Sequence, residues 1–442
     1  MARARRLDRH ETVLVTELDA EGVGRAEHDG LKLRVRGALP DELVSVRVLR
    51  RRRRQLEGQA EVVCRPNAAR VSPPCPWTAR CGACVLQHLD PDEQRHRKRA
   101  QLAALFEDEG VRSPARWLPD VCGTSTGYRR KARLGVRHVP GKGTLVGFRE
   151  PASSRVADVD VCRILLPQVG EHLADLKGLL GSLDAAAKIP QLEVACGDDG
   201  VAVVLRHLEA LGDADRERLV AYAAAAGWQL YLQPGGPDTV ERAWPRAGAE
   251  RLHYRLPEFG LSFAFHPTDF VQINPEINRR MVSLAVEELA PRPTDRVLDL
   301  FCGIGNFTLP LATRAAAVLG VEGSAELVER ARENAVANRD LLDGREVAFN
   351  VADLYAEDFD PTTLPKADLL VLDPPRSGAE TIVRAMGILA PRRLVYVSCH
   401  PGTLARDARL MAEGGYMLTA AGILDMFPHT AHVESIAVFE RV

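Results

Sequence analysis

The chain has 442 residues, 46% of them apolar and 27% charged, with a formal net charge of −2. That is enough chain for two or three domains with their own cores, and the composition is that of a soluble globular protein. No apolar run is long enough to span a bilayer, and Met1 to His10, though arginine-rich, lacks the apolar core of a secretory signal. A cytoplasmic protein is therefore expected, its nine cysteines bound to metal, catalytic or buried rather than disulfide-paired. The small net charge hides a basic start: Arg50 through Arg54, then Arg95, Arg97, Lys98 and Arg99. Such blocks suggest a polyanionic partner, the alternative being solvated faces.

Residues 12–63 read as an all-β module. Val13-Leu14-Val15, Leu31 to Val35, Leu43 to Leu49 and Ala60 to Val63 are short alternating strands between glycine- or proline-bearing turns. A small barrel of the oligonucleotide-binding kind fits, with Arg34, Arg36, Arg47 and Arg50 to Arg54 offered to phosphates. Next, Cys75, Cys81 and Cys84 fall in a proline- and glycine-rich loop whose shortness lets thiolates converge. A fourth thiolate is needed from Cys64, Cys122, Cys162 or Cys196, and Cys162 is favoured because it closes another short segment. The spacing leaves zinc and an iron–sulfur cluster equally open.

Residues 90–110 carry a helical pattern, with Leu102, Leu105 and Phe106 on one face and the basic cluster at its start. Tyr128 to Leu134 alternates charged and apolar residues, as a strand with a basic edge does. Further strands are expected at Leu145 to Phe148, Leu192 to Val194 and Val201 to Leu205, and helices at Leu165 to Leu183 and Ala214 to Ala226. This central region reads as α+β.

From residue 266 strands and helices alternate, the mark of a parallel α/β sheet. Val297 to Phe301 runs into Cys302-Gly303-Ile304-Gly305-Asn306, and two glycines at a strand-to-helix turn let backbone approach a ligand. Val318 to Glu322 ends in a carboxylate about 20 residues on, where a ribose-binding acid belongs. Val347 to Val351 ends near Asp353, and Ala367 to Leu372 ends in Asp373-Pro374-Pro375-Arg376. Leu394 to Ser398 ends in Cys399, before Pro401-Gly402 and a helix from Thr403 to Glu413. A thiol at a strand end, before a helix N-terminus, sits where open α/β sheets bind ligands and where the thiolate is favoured. A lone cysteine is more often a small buried hydrophobe. The acids and polar residues at neighbouring strand ends reverse that preference.

Four segments together identify a family: Asp299-Leu300-Phe301-Cys302-Gly303-x-Gly305-Asn306-Phe307, Asp373-Pro374-x-Arg376-x-Gly378, Val397-Ser398-Cys399-x-Pro401-x-Thr403-Leu404-x-Arg406-Asp407, and Asp425-Met426-Phe427-Pro428-His429-Thr430-x-His432-x-Glu434. They resemble the RNA 5-methyluridine methyltransferases, and the resemblance extends over nearly the whole chain. It implies a TRAM-like RNA-binding β-barrel in residues 1–66, a central α+β domain with an iron–sulfur cluster in 67–265, and a Rossmann-like class I methyltransferase domain in 266–442. It further implies methylation of C5 of a uridine in 23S ribosomal RNA by a monomer. By matching positions, Cys75, Cys81, Cys84 and Cys162 would hold a 4Fe–4S cluster. Gln272, Phe301, Asn306, Glu322, Asp353 and Asp373 would bind S-adenosylmethionine, Cys399 would be the nucleophile and Glu434 the base. His400 stands where the family commonly has asparagine, and Pro375 where the closest relatives often have alanine.

Uracil C5 is too weak a nucleophile to take a methyl group unaided. A thiolate added at C6 makes the ring an enolate with electron density at C5, and a base then removes the C5 proton so that the cysteine can leave. The target uridine must be single-stranded or flipped out. Phe270 is a stacking candidate, packing within the core being equally open. Asp373 either bonds the uracil edge or orients the cofactor, and Lys131 and Arg133 are candidates for RNA phosphates. Two rivals stand beside this reading. One is an amino-methyltransferase of adenine or cytosine using Asp373-Pro374-Pro375, although Arg376 follows where an aromatic residue belongs. The other is a non-catalytic RNA-binding assembly factor.

Overall fold

The computed structural model describes residues 5–52, 55–248 and 250–442. Arg53 and Arg54, offered above to phosphates, lie outside them. Strands β1 (Arg5–Leu14), β2 (Glu17–Leu18), β3 (Gly24–His28), β4 (Leu31–Arg36), β5 (Leu43–Arg52) and β6 (Gln55–Arg65) form one sheet in the order β1-β5-β6-β4-β3-β2. Alternate apolar residues turn inward, so the sheet curls round Val13, Val15, Leu33, Val35, Val46, Val48 and Leu56. The end of the first strand bonds across the curl, Val15 N donating to the Glu42 carbonyl at 2.9 Å and Thr16 N to that of Arg25 at 2.7 Å.

Helix α1 (Pro91–Asp108) begins as its sequence directs: Asp90 accepts from the Asp92 and Glu93 amides, and Pro91 occupies the first turn. Its apolar face does not pack on the central region that follows it. Leu102 and Phe106 enter a core with Leu394, Tyr396, Leu404 and Leu418 from the C-terminal sheet. Strand β7 (Arg116–Trp117) likewise joins that sheet as its last member.

The central sheet comprises β8 (Lys131–Val139), β9 (Gly143–Gly147), β10 (Gln191–Cys196), β11 (Val201–Arg206), β12 (Gln229–Gln233) and β13 (Glu241–Trp244), ordered β13-β12-β11-β10-β8-β9. The helix expected over Leu165 to Leu183 is broken into α2 (Pro167–Gly170) and α3 (Leu173–Gly181). The short first piece lies against the Cys162 segment: Cys162 N donates to the Gly170 carbonyl at 2.8 Å, and a Cβ on Gly170 would clash with the Cys162 carbonyl oxygen. Helix α4 (Asp213–Ala226) ends on Gly227 in the left-handed conformation.

The hairpin β14 (Leu252–Leu256) and β15 (Leu261–Phe265) places Tyr254, Phe263 and Phe265 in one core with Phe307 and Leu309. The core that supports the C-terminal layer thus begins upstream of residue 266. After α5 (Pro275–Leu289) come β16 (Arg296–Leu300), α6 (Thr308–Ala312), β17 (Ala317–Glu322), α7 (Ala325–Ala337), β18 (Glu346–Val351), β19 (Leu369–Leu372), α8 (Glu380–Arg384), α9 (Met386–Leu389), β20 (Arg393–Ser398), α10 (Pro401–Glu413), β21 (Tyr416–Leu424) and β22 (Glu434–Arg441). The sheet order is β18-β17-β16-β19-β20-β22-β21-β7. Its first five strands are parallel, as the alternation predicts, but β22 inserts antiparallel between β20 and β21. That insertion brings the start of β22 beside the end of β20. No helix among the described residues is long and apolar enough to cross a membrane.

Much of the basic start is consumed internally. Arg34 bonds Asp19 and Glu21, Arg50 bonds Glu57, Arg99 bonds Asp120, and Lys98 is buried against Asp425. At these residues the charge meets carboxylates of the fold itself, since a lysine ammonium or arginine guanidinium this close to a carboxylate is already neutralised there. Arg36 has no carboxylate at ion-pair distance among the described residues and faces a cleft between the curled sheet and the cysteine loop.

Candidate active site

A cavity of about 550 Å³ opens at the C-terminal ends of β16, β17, β19 and β20. Gln272, Phe301, Asn306, Glu322, Asp353, Asp373, Cys399 and Glu434 all line it. The turn after β16 is built for close approach. Phe301, Gly303 and Gly305 have φ of 66°, 54° and 90°, and a Cβ on Gly303 would meet no atom within 4 Å. The Gly303 and Ser324 amides donate to the two oxygens of Glu322 at 3.2 and 3.0 Å, which fixes that carboxylate at the rim. Asp353 is turned by the Tyr355 amide at 2.9 Å. Two supporting residues escaped the sequence: Tyr254 Oη donates to Asn306 Oδ1 at 2.9 Å, and Asn278 and Asn306 exchange amide bonds at 3.1 and 2.9 Å. Their sequence context, an ordinary strand and an ordinary helix, gives no sign of this.

At the other end of the cavity stand Cys399 and Glu434. Cys399 follows β20, and the thiol is pushed up to about 11, first by burial and then by Glu434 and Asp373, with Arg376 acting against them. Glu434 opens β22 and is 3% exposed; burial drives its carboxyl well above the usual range, Asp373 adds to this, and Arg376 and Lys98 oppose it. Asp373 is raised to about 7 by burial, while Gln272 Nε2, donating to its Oδ2 at 3.3 Å, favours the ionised form. Below these groups Asp299, wholly buried, accepts from Thr308 Oγ1 at 2.5 Å and is likewise raised to about 7 by burial.

His400 now has a physical role. It is the N-cap of α10, and its Nδ1 accepts from the Thr403 amide at 3.2 Å, the bond an asparagine oxygen makes at such a position. Phe270 is 64% exposed on the cavity wall, which disposes of the core-packing alternative. Lys131 and Arg133 stand outside the cavity. Lys131 Nζ donates to the Asp269 carbonyl and is lowered to about 8 by burial, and Arg133 Nε donates to Glu193 at 2.7 Å. Arg376, Tyr355, Phe427 and His432 complete the lining; none of the four was singled out as a site residue from sequence.

A second cavity is lined by Cys75, Cys81, Cys84 and Cys162 together with Trp77 and Phe148. All four are unpaired thiols, and burial pushes Cys81 to about 11, Cys84 to about 12 and Cys162 upward, each further raised by its neighbours. For Cys81, Cys84 and Cys162 this raised cost of ionising is one that a bound cation would offset. Among the described residues no three His, Cys, Asp or Glu side chains form a group that could hold a single metal ion. Cys64 is exposed and Cys196 buried in the central core, both outside this cavity.

Residues 252–442 match the family described as tRNA (Uracil-5-)-methyltransferase. The chain is 46% identical, over 98% of its length and 97% of the other, to a protein of Alcanivorax borkumensis named 23S rRNA (uracil(1939)-C(5))-methyltransferase RlmD. It is 49% identical, over 99% and 98%, to one of the same name from Alkalilimnicola ehrlichii. The fold is that of the Pyrococcus abyssi tRNA (uracil-54, C5)-methyltransferase in complex with S-adenosyl-L-homocysteine, with a TM-score of 0.73 at 23% identity, covering 97% of this chain and all of that one.

Proposed function

The chain belongs to the RNA (uracil-5-)-methyltransferase family, and from that premise we propose that it methylates C5 of one uridine in 23S ribosomal RNA. The observation that carries the chemistry is the meeting of Cys399 and Glu434 in one cavity whose other end is lined by Phe301, Asn306, Glu322 and Asp353. S-adenosylmethionine, when bound, supplies the methyl group from its sulfonium. The open space above Gly303 and the anchored carboxylate of Glu322 suit its nucleoside part.

The uridine leaves its stack and rests on Phe270, whose exposure at the cavity makes it a platform. Gln272 and Asp373 meet the uracil edge or hold the cofactor. The Cys399 sulfur forms a bond to C6, and the ring's electron pair moves to the C5–C4–O4 enolate, making C5 nucleophilic. After methyl transfer Glu434 takes the C5 proton, the C5–C6 double bond re-forms, and the sulfur leaves as thiolate. Burial of Glu434 at the start of β22 keeps this base away from solvent.

Cys75, Cys81, Cys84 and Cys162 fit a 4Fe–4S cluster. The four line one cavity, and a cubane centre takes one thiolate at each of its corners. Methyl transfer by this route moves no net electrons, so the cluster's work is structural. Residues 1–66 read as a TRAM-like barrel gripping RNA, the region 67–265 as the cluster-bearing part and 266–442 as the transferase. The protein works as a monomer in the cytoplasm.

Incubation with labelled methyl donor and ribosomal RNA, followed by mapping of the methylated nucleotide, tests the reading. A label on an exocyclic nitrogen of adenine or cytosine would favour the amino-methyl reading. A 5-fluorouridine substrate should leave an adduct at Cys399, since fluorine at C5 blocks proton removal. The amino-methyl reading is weakened by Arg376 in place of an aromatic residue and by a thiol facing the cavity.

A further inference from the structure

We infer that Arg376 is a positioning residue that eases formation of the Cys399 thiolate against the carboxylates around it; the inference rests on the uracil-C5 reading and adds a residue to it. The cavity is lined by four carboxylates, Glu322, Asp353, Asp373 and Glu434, and by one cationic side chain, Arg376. For a nucleophile that must carry negative charge this surrounding has the wrong sign. Glu434 from the start of β22 and Asp373 from the end of β19 both act against the thiolate, as does burial. Tyr355, from the loop after β18, shares the same wall. Arg376 is the opposing charge.

Three features fit it to that task. Its guanidinium has no carboxylate at ion-pair distance among the described residues, so its charge is not already spent. Its Nη2 lies 3.5 Å from His432 Nδ1, and burial together with this cation lowers the imidazole, disfavouring a second positive charge there. Its backbone is tied to the helix that follows the nucleophile: Thr403 Oγ1 donates to the Arg376 carbonyl at 3.3 Å and also to that of His400 at 3.0 Å. The first turn of α10 and Arg376 are therefore set against Cys399 as one unit. The same charge favours ionised Glu434. The thiol gives its proton to solvent buffer, and no other bond changes in this step.

The test is the pH dependence of Cys399 alkylation by iodoacetamide, read on the Cys399 peptide by mass spectrometry, in the full-length protein without RNA or methyl donor. In Arg376→Gln the profile should move to higher pH by about one unit, so that alkylation at pH 8 slows about tenfold. Arg376→Lys, which keeps the charge, should stay within about threefold of wild type, the residual change reflecting the lost planar fork. With methylation followed in parallel, kcat should fall in the glutamine variant while KM for RNA changes little. An unmoved alkylation profile overturns the inference, and if KM for RNA rises at the same time the guanidinium serves an RNA phosphate instead. Should the glutamine variant fail to fold, Arg376→Met against Arg376→Lys gives the same contrast. Because alkylation needs neither RNA nor donor, its outcome is independent of which atom is methylated, which nucleotide mapping decides.

Discussion

Replacing Lys98 by methionine removes the ammonium that meets Asp425 inside the fold. The side chains are 4% and 5% exposed, Lys98 Nζ donates to Asp425 Oδ1 at 2.8 Å, and it donates again to the Phe427 carbonyl at 3.1 Å. Methionine keeps most of the apolar stem, so little cavity is created, but Asp425 is left buried, with Arg95 at 4.0 Å its remaining cation among the described residues. Breaking one side of a buried pair costs about 3–5 kcal/mol. For a sheet layer of this size that corresponds to a midpoint lower by roughly 10 °C. Methylation should fall with it, since the loop from Asp425 leads to His432 and Glu434. Thermal unfolding by circular dichroism reads the first effect and a labelled-methyl assay at 25 °C the second. Lys98→Met combined with Asp425→Asn removes both charges and should recover most of the stability. A single variant melting within about 2 °C of wild type, or a double variant no better than the single, refutes the reasoning.

Glu434→Gln should add to C6 and accept the methyl group but fail to eliminate. Turnover then drops by about 10²–10⁴-fold and a protein–RNA complex survives denaturing electrophoresis, which Cys399→Ala should abolish. An equal loss of adduct in the glutamine variant would remove Glu434 from the proton step. His400→Asn should retain the melting midpoint, and His400→Ala should lose about 1 kcal/mol with the cap; equal behaviour of the two would show the cap to be idle. Asp299 has its pKa raised from 3.8 to about 7 in the fold. Below the unfolded value both states are protonated and no penalty applies. The penalty grows between pH 4 and 7, and above that reaches about 4 kcal/mol. Asp299→Asn, still able to accept from Thr308, should therefore gain more in melting midpoint at pH 8 than at pH 5, and a pH-independent difference contradicts the burial argument.

What could be read from the sequence was decided locally. The apolar runs of β17, β19 and β20 run straight into Glu322, Asp373 and Cys399, so these residues announce their own strand ends, and that of β16 breaks at the glycines of Gly303-Ile304-Gly305. Direction and partners are not written in such a run. The antiparallel insertion of β22, on which the meeting of Glu434 and Cys399 depends, follows from a sheet register set over tens of residues. The two-residue β7 has no periodicity to detect and exists only because β21 offers an edge. Charge misled for a related reason: Lys98 and Arg99 look like an RNA-facing block until Asp425 and Asp120 arrive from elsewhere. His400 seemed an oddity because residue identity was read in place of function, and an imidazole nitrogen can cap as an amide oxygen does.

The thiol loop and the catalytic loop are one mechanical unit. His429 has φ of 66°, a conformation that a residue other than glycine adopts only where its surroundings impose it. Here the surroundings are specific. The Leu86 amide, two residues beyond Cys84, donates to the His429 carbonyl at 3.0 Å, and the His429 amide donates to Gln94 Oε1 at 2.8 Å. Tyr128 Oη, from the segment leading into β8, donates to the Pro428 carbonyl at 3.1 Å, and Lys98 holds that of Phe427. Three consecutive residues of the catalytic loop are thus bonded by the cysteine loop, by α1 and by the strand entry beside them. His432 and Glu434 follow within five residues of His429, too few to absorb a displacement of that anchor. With Glu434, the proposed base, at the end of such a loop there is reason to keep the thiol loop rigid, and a centre bound by Cys75, Cys81, Cys84 and Cys162 would rigidify it without taking part in methyl transfer.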